Sequence, residues 1–485
     1  MKTRMLDWFM ATMAVAIIAW MMAAQTTSQG TPSVNVLDIR QLELQPRLWA
    51  AQEELPSSVR ASIGLTNSGP DDEAQPEDPL ASVEAIASEV GAQVEAQYAW
   101  SVAMRTIGAA ITIALGEDET GLRLLYPLTS DTDLEKTERD VILGLLQIAK
   151  GHKAAPIHRV NAHLKVLGTS EWLRKRLQER HLRNTGDKAQ ADQLGTDAAD
   201  MNIGYVGAMA ATVLLTGALA LLGMLLLLLF PWLSGVLRRR GHTGLAGTCS
   251  PFETGHTFRV LAAWFLFYAC SHTVFGLLMT LLGPPGANQV FSIAAVSLLH
   301  GGASIVLIQT FGRKEHDSRS LGECLRFRFS DASGGIFAFF LWVVMGLAVT
   351  LAVALVAVVV NEQILGDELT QQSSVQLFAE SRSTSDLLIM LTAVCVFAPV
   401  FEEILFRGFL YRNLRDRFGP WLGLCFSSFL FAIAHVDMSN LLPLFAIGLA
   451  FGYSYERSGS LWVPVLIHAL WNFSTLARIL SLMGS

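Results

Sequence analysis

Long apolar runs separated by short polar connections fill the second half of the chain. From residue 203 onward they fall at roughly 203–233, 258–282, 287–311, 334–360, 386–406, 421–436, 441–455 and 461–483. A helix needs about 20 residues, at about 1.5 Å rise each, to cross a hydrocarbon core of about 30 Å. The pattern therefore predicts an all-α, polytopic helical membrane protein with about eight transmembrane helices in its core. Two of the last three segments are only about 15 residues long, so tilted or re-entrant helices are expected there. Residues 5–24 form one more apolar run, preceded by Lys2 and Arg4. It reads as a signal anchor, with a signal peptide cleaved after the Ala23-Ala24 pair as the alternative.

Residues 25–202 contain no run of that kind. They open with a Pro-, Asp- and Glu-rich stretch, including Gly69-Pro70-Asp71-Asp72-Glu73 and Pro76-Glu77-Asp78-Pro79, that reads as linker or disorder. From Ala81 the spacing turns helical, with Ala-rich amphipathic runs over 81–114, 131–151 and 156–183 and little β-branched alternation. A small helical bundle is expected. Its Arg174-Lys175-Arg176 and Arg180 cluster reads first as a solvated helix face, and second as a contact for acidic lipid or a partner. His152, His158 and His163 lack paired acidic spacing and read as surface residues. A polar stretch over 184–200 precedes the first long apolar run.

Composition agrees with the membrane reading: 52% of 485 residues are hydrophobic and 16% charged, against roughly 25% charged in soluble domains. The net charge of -7 is unevenly placed, because residues 25–203 hold 26 Asp and Glu against 17 Lys and Arg. That acidity argues against nucleic acid as a partner. Basic residues elsewhere mark alternate connections: Arg238-Arg239-Arg240, then Arg313, Lys314, Arg319, Arg326 and Arg328, then Arg412, Arg415 and Arg417, then Arg457. By the positive-inside rule these connections are cytoplasmic, and the acidic connection 361–386 and the region 25–202 lie outside. A bacterial inner membrane is the expected location. The five cysteines, Cys249, Cys270, Cys324, Cys395 and Cys425, show no C-x-x-C or other metal-binding spacing.

Chemistry concentrates near the C-terminus. Val400-Phe401-Glu402-Glu403-Ile404-Leu405-Phe406-Arg407-Gly408 sets two adjacent carboxylates in an apolar run, where an unpartnered charge is costly. Glu403 and Arg407 are four apart and share a helix face, so an ion pair offsets part of the desolvation. Glu402 points about 100° away, toward a wet cavity, and suits general-base work. A juxtamembrane salt-bridge patch is the competing reading. His435 closes Phe431-Ala432-Ile433-Ala434-His435 and alone would read as a hydrogen-bonded core histidine. His468 and Asn472 are also four apart on one face, and alone would read as interhelical glue. Together these groups supply what hydrolysis of a peptide by water needs: a carboxylate and an imidazole to take its proton, and further donors for the oxyanion. Glu402, His435 and His468 are also ordinary zinc ligands, although the His-Glu-x-x-His zinc pattern is absent.

In order and spacing, Glu402-Glu403-x-x-x-Arg407, Phe431-x-x-x-His435 and His468-x-x-x-Asn472 resemble the three signature motifs of the CAAX prenyl protease and bacteriocin-processing (CPBP) family of intramembrane peptidases. Gly459-Ser460-Leu461-Trp462-x-Pro464 resembles that family's entry into its last motif. The resemblance covers 386–480 firmly and the segments from 203 more loosely, and residues 1–202 have no counterpart. It implies Glu402 and His435 as the pair activating water, His468 and Asn472 as oxyanion stabilisers, and Glu403 with Arg407 as supporting structure. It further implies an endopeptidase acting on a prenylated or other membrane-associated protein or peptide. No cofactor is required in the preferred reading, and zinc is the alternative.

The expected division is a signal anchor over 1–24, an acidic helical extracytoplasmic domain over 25–202, transmembrane helices over 203–380 and a peptidase core over 381–485. A non-catalytic membrane scaffold or immunity-type binding protein with the same fold is one rival. An ion-coupled transporter is another, although no internal repeat supports it. One tension concerns depth. His435 lies about 14 residues, roughly 21 Å at helical rise, beyond the expected cytoplasmic start near Trp421, whereas Glu402 should be shallower, so either the segment starts later, the helix is strongly tilted or the core is not a set of simple parallel spans.

Overall fold

A computed structural model describes residues 39–51 in part, then 98–129, 134–239, 244–282, 287–314, 317–327, 329, 335–365, 384–435, 437 and 439–483. The 1–24 run, the Pro- and acid-rich stretch and most of the 361–386 connection lie outside the described residues. Among the described residues the secondary structure is helical, with one isolated bridge between Phe252 and Arg313. The chain is an all-α, polytopic membrane protein. Contacts among the described residues divide the chain into two compact units, one within 29–212 and the other within 213–477.

In the first unit, α1 (Tyr98–Leu115), α2 (Asp118–Thr129), α3 (Lys136–Ala149), α4 (Ile157–Leu167) and α5 (Glu171–Thr185) form a bundle. Ile107 and Ile111 of α1, Ile142 and Leu145 of α3, Val160 and Leu164 of α4, and Leu173 and Leu177 of α5 are buried in one core at i, i+3 and i+4 spacings. The run expected over 156–183 is two helices. Gly168 closes α4 in the left-handed conformation at φ 92°, and Ser170 then caps α5 by accepting Leu173 N–H at 3.1 Å. A buried strap pins residues 43–47 to this bundle. Glu43 accepts Ser170 N–H at 2.9 Å, and Arg47 donates to Asn202 at 3.0 Å while lying 3.6 Å over the Tyr205 ring.

The basic cluster on α5 is engaged within the unit. Arg176 and Arg183 share Glu179, Arg180 pairs with Asp118, and Lys175 lies 3.6 Å from Glu171. His152 and His158 are exposed as expected and His163 is half-buried, while His181 of α5 is buried. Burial lowers the pKa of His163, against the opposing pull of Glu138, and burial with the nearby His158 lowers that of His181, both from 6.5. Below about pH 6.5 the unfolded chain therefore binds protons that the bundle resists, so stability is complete above that pH and falls as pH drops below it. Hydrogen exchange over 136–185 in the full-length protein, corrected for intrinsic rates, is expected to accelerate at about pH 5.5. The double variant His163→Gln/His181→Gln should flatten that dependence.

The second unit holds the membrane helices. They are α6 (Lys188–Arg239), α7 (Thr257–Leu282), α8 (Ala287–Leu307), α9 (Gly335–Leu365), α10 (Thr384–Phe418), α11 (Pro420–Ala434), α12 (Leu441–Ser458) and α13 (Trp462–Met483). Helix α6 starts in the first unit, so most of the polar stretch 184–200 is helical. Among the described residues five helices are long and apolar enough to cross a membrane, and α11 is a shorter apolar helix. Small residues allow close crossings: a Cβ on Gly223 of α6 would sit 1.9 Å from the Ala348 carbonyl oxygen of α9.

The basic connections gather at one end of this unit, where their charges meet backbone carbonyls. Arg412 donates to Cys324 O at 2.6 Å and to Cys249 O at 2.7 Å. Arg415 bonds Glu456 at 2.8 Å and the carbonyls of Leu245 and Thr248, Arg326 donates to Gly459 O, and Lys314 to Ser250 O.

Helix α10 corrects the depth expectation. Instead of ending at 406 it continues to Phe418, through π-helical stretches at Ala393–Phe397 and Ile404–Tyr411 that flank the Glu402-Glu403 pair. The chain reverses at Gly419, φ 83°, and α11 climbs back beside it. Ser427 donates to Phe406 O at 2.8 Å and fixes the register. Glu402 lies about one turn beyond Phe406, and His435 about two turns beyond Ser427, both away from the basic end. The side chains span the remaining turn, and Glu402 Oε2 lies 3.9 Å from His435 Nε2.

Candidate active site

The site is built outward from Glu403, which is fully buried. Its Oε1 accepts Arg407 Nη1 at 2.9 Å and His468 Nδ1 at 3.0 Å. Arg407 is buried as well, donates its other terminal nitrogen to Gly448 O at 2.9 Å, and lies between the Phe431 and Phe451 rings at 4.2 and 5.5 Å. Phe451 also stacks on His468 at 4.8 Å. The buried Glu403–Arg407 pair therefore ties α10 to α13 through His468 and to α12 through Gly448 O, and Glu403 fixes the ring plane of His468.

Glu402 projects from the neighbouring face, with 29% of its side chain exposed. Its Oε2 lies 3.9 Å from His435 Nε2 and 4.0 Å from His468 Nε2, and accepts no hydrogen bond among the described residues. His435 caps the C-terminal end of α11, and its Nδ1 meets the Phe431 carbonyl at 2.8 Å. Because each Nδ1 faces an acceptor, each carries the hydrogen, and both Nε2 atoms present lone pairs toward Glu402. Three acceptors then converge on one space, an arrangement suited to holding a water whose hydrogens they can take.

Five of the six residues singled out in the sequence meet in this cluster: Glu402, Glu403, Arg407, His435 and His468. Asn472 is placed differently. Its Nδ2 donates one of its two hydrogens to Val394 O at 2.8 Å, within the π-helical stretch of α10.

Residues 384–474 match the Type II CAAX prenyl endopeptidase Rce1-like family. The matched segment runs from the start of α10 to α13 and contains the whole cluster, as the resemblance of the three motifs implied. An uncharacterised 24.3 kDa protein of Escherichia coli is 40% identical over 98 residues, 19% of this chain and 45% of that protein. YdiL of Bacillus subtilis, named as a candidate membrane peptidase, is 31% identical over 100 residues, 19% of this chain and 41% of that protein. The membrane-embedded CAAX protease MroQ of Staphylococcus aureus is 27% identical over 137 residues, 27% of this chain and 54% of that protein. The chain thus spans about half the length of the relatives it matches. No solved structure matches it.

Zinc sets its own geometric demand on Glu402, His435 and His468. Ligands bonded at about 2.0 Å around one tetrahedral zinc lie roughly 3.3 Å from each other. The Glu402 contacts to His435 and His468, at 3.9 and 4.0 Å, are wider, and no cluster of three or more His, Cys, Asp or Glu side chains among the described residues is arranged to hold a metal ion. As placed, these side chains do not close around one ion.

Two features escaped sequence reasoning. The Glu403–His468 bond joins residues 65 apart, and no local spacing announces it. The second lies outside the matched segment. The Phe401 ring rests against Gly301 of α8, where an added Cβ would lie 2.1 Å from the ring, so α8 forms a wall immediately beside Glu402.

Proposed function

We propose that the chain is an intramembrane endopeptidase in which Glu402 activates water against a peptide bond of a membrane-associated protein or peptide, a prenylated C-terminus being one such substrate. The observation that carries this reading is the buried Glu402 Oε2, which accepts no hydrogen bond among the described residues and lies 3.9 and 4.0 Å from the Nε2 atoms of His435 and His468. Water held there gives one proton to Glu402 while its oxygen bonds to the scissile carbonyl carbon and the carbonyl electron pair moves to oxygen. Collapse of that intermediate re-forms the carbonyl and breaks the C–N bond. The departing nitrogen keeps the bond's electron pair and takes the proton from Glu402. His435 Nε2 orients the water by accepting its second O–H, and Glu403 with Arg407 holds His468 in place. Apolar surroundings strengthen these interactions relative to bulk water. The matched family's name supports the substrate class, and the helical unit that precedes the membrane helices is proposed as an extracytoplasmic domain.

The test is a proteomic comparison of membrane fractions from cells carrying the wild type or Glu402→Gln, each with and without a chelator. A cleavage product lost in the variant but retained on chelation supports this reading. Identical fragment patterns in wild type and variant would reject it.

The wall at Gly301 yields a further expectation. Any side chain there must displace Phe401, and a shift of about 1 Å at a reacting group can lower rates about 100-fold. Gly301→Ala is therefore expected to reduce kcat at least about tenfold on a farnesylated peptide ending in a CAAX sequence. Gly302→Ala, whose Cβ would meet nothing within 4 Å, is expected to leave kcat unchanged.

A further inference from the structure

The three motifs supply Glu402, His435 and His468, but a single hydrogen bond does not hold an imidazole rigidly. His468 Nδ1 donates to Glu403 Oε1 at 3.0 Å. A hydrogen bond keeps most of its strength over about 30° of misalignment, and such a tilt about the line from Cβ to Nδ1 carries the far nitrogen of an imidazole about 1 Å. That nitrogen, Nε2, is the one that lies 4.0 Å from Glu402 Oε2. A displacement of about 1 Å at a reacting group can lower a rate about 100-fold, so the site needs a second constraint on this ring.

Helix α12, which contributes no residue to the three motifs, supplies one. Phe451 is fully buried and lays its ring on the His468 imidazole, with centroids 4.8 Å and planes 29° apart, an offset stack that opposes tilting. Phe431 closes from another side, edge-on to His468 at 5.8 Å and to Phe451 at 6.3 Å. The Phe451 ring also lies 5.5 Å from the Arg407 guanidinium carbon, so the stack and the Glu403–Arg407 pair belong to one frame. Glycine allows the close approach of α12 to α11, the helix that carries His435. A Cβ on Gly448 would lie 3.1 Å from Ser428 Cβ, and one on Gly452 would lie 2.4 Å from the Leu424 side chain. The crossing is therefore tight one turn before Phe451 and immediately after it.

Resting on the peptidase reading above, we infer that Phe451 is a positioning residue for hydrolysis, its ring face holding the imidazole of His468 so that Nε2 stays directed at Glu402. It acts through His468 and leaves the proton balance of the Glu402 step unchanged. A phenylalanine that only filled space would make the opposite expectation, a loss of stability with the geometry of His468 intact.

The experiment uses full-length protein in phosphatidylethanolamine–phosphatidylglycerol vesicles with a quenched-fluorescent farnesylated peptide ending in a CAAX sequence. Wild type, Glu402→Gln, Phe451→Leu, Phe451→Met and Phe339→Leu are compared for kcat, KM and thermal midpoint. Phe339 is the control, equally buried in the same core but packed on Phe329 and Phe340. Both Phe451 variants are expected to lose about 10- to 100-fold in kcat with KM changed less than about threefold, whereas Phe339→Leu should lower the midpoint similarly and keep wild-type kcat. A second measurement is magic-angle-spinning NMR of protein carrying carbon-13 at histidine Cε1, the His468 signal being the one missing from His468→Gln. The ring current of Phe451 should move the attached proton upfield in wild type, and Phe451→Met should return it toward its ordinary position. A wild-type signal already at the ordinary position, wild-type kcat in the Phe451 variants, an effect on KM alone, or an equal loss of kcat in Phe339→Leu overturns the inference while leaving Glu402 as the base. A wild type that does not cleave the peptide, or a Glu402→Gln variant that does, overturns the peptidase reading and this inference with it.

Discussion

Glu402→Gln is expected to lower kcat by about 10²- to 10⁴-fold while leaving the thermal midpoint of the purified protein within about 2 °C of wild type. Glutamine keeps the length and the carbonyl oxygen of glutamate but cannot accept the proton of the attacking water. The stability expectation follows from partners. Glu402 accepts no buried hydrogen bond that the substitution would remove, and 29% of its side chain is exposed. His435→Gln should also reduce kcat, and the double variant should be little worse than Glu402→Gln alone, because residues that handle one water act as a unit. The kinetic readout is kcat on the farnesylated CAAX peptide, and the structural readout is a thermal melt in the same vesicles. A Glu402→Gln protein that unfolds would assign the residue to structure, and one with wild-type kcat would remove it from the chemistry.

The same residues show what could be read from sequence and what could not. Hydropathy located all eight apolar segments from 203 onward, because each helix is apolar over most of its length. It ended the fifth at 406 because Arg407, Arg412 and Arg415 interrupt the run. Each arginine has partners that hydropathy cannot represent: Glu403 and Gly448 O for Arg407, Cys324 O and Cys249 O for Arg412, and Glu456 for Arg415. With those charges satisfied, α10 runs on to Phe418, and Glu402 lies deeper than the interrupted run suggested. Spacing was reliable for local pairs. Glu403 and Arg407, four apart, meet at 2.9 Å. It did not announce the bond from Asn472 Nδ2 to Val394 O, which joins α13 to the π-helical stretch Ala393–Phe397 of α10. The wall from α8 was not legible in the sequence, because the contact of Phe401 with Gly301 joins residues 100 apart with no motif at Gly301.

Arg407→Met is expected to destabilise the protein by about 3–5 kcal/mol, the cost of leaving a buried partner charge uncompensated. Glu403 would keep only His468, and Gly448 O would lose its donor. Arg407→Lys should rescue little, because an ammonium cannot bond Glu403 and Gly448 O in the same fork while filling the space between the Phe431 and Phe451 rings. Stability and activity should separate in Glu403→Met/Arg407→Met. Removing both charges eliminates the unpaired one, and hydrophobic replacement of a buried pair is often neutral or stabilising, so most of the lost stability should return. Activity should not, because His468 Nδ1 no longer has the carboxylate that fixes its ring beside Glu402. Denaturant or thermal unfolding supplies the stability comparison, and kcat at saturating peptide supplies the other. A stable, active double variant would show that the pair serves packing alone. An Arg407→Met protein as stable as wild type would show that the buried ion pair does not bind the helices together.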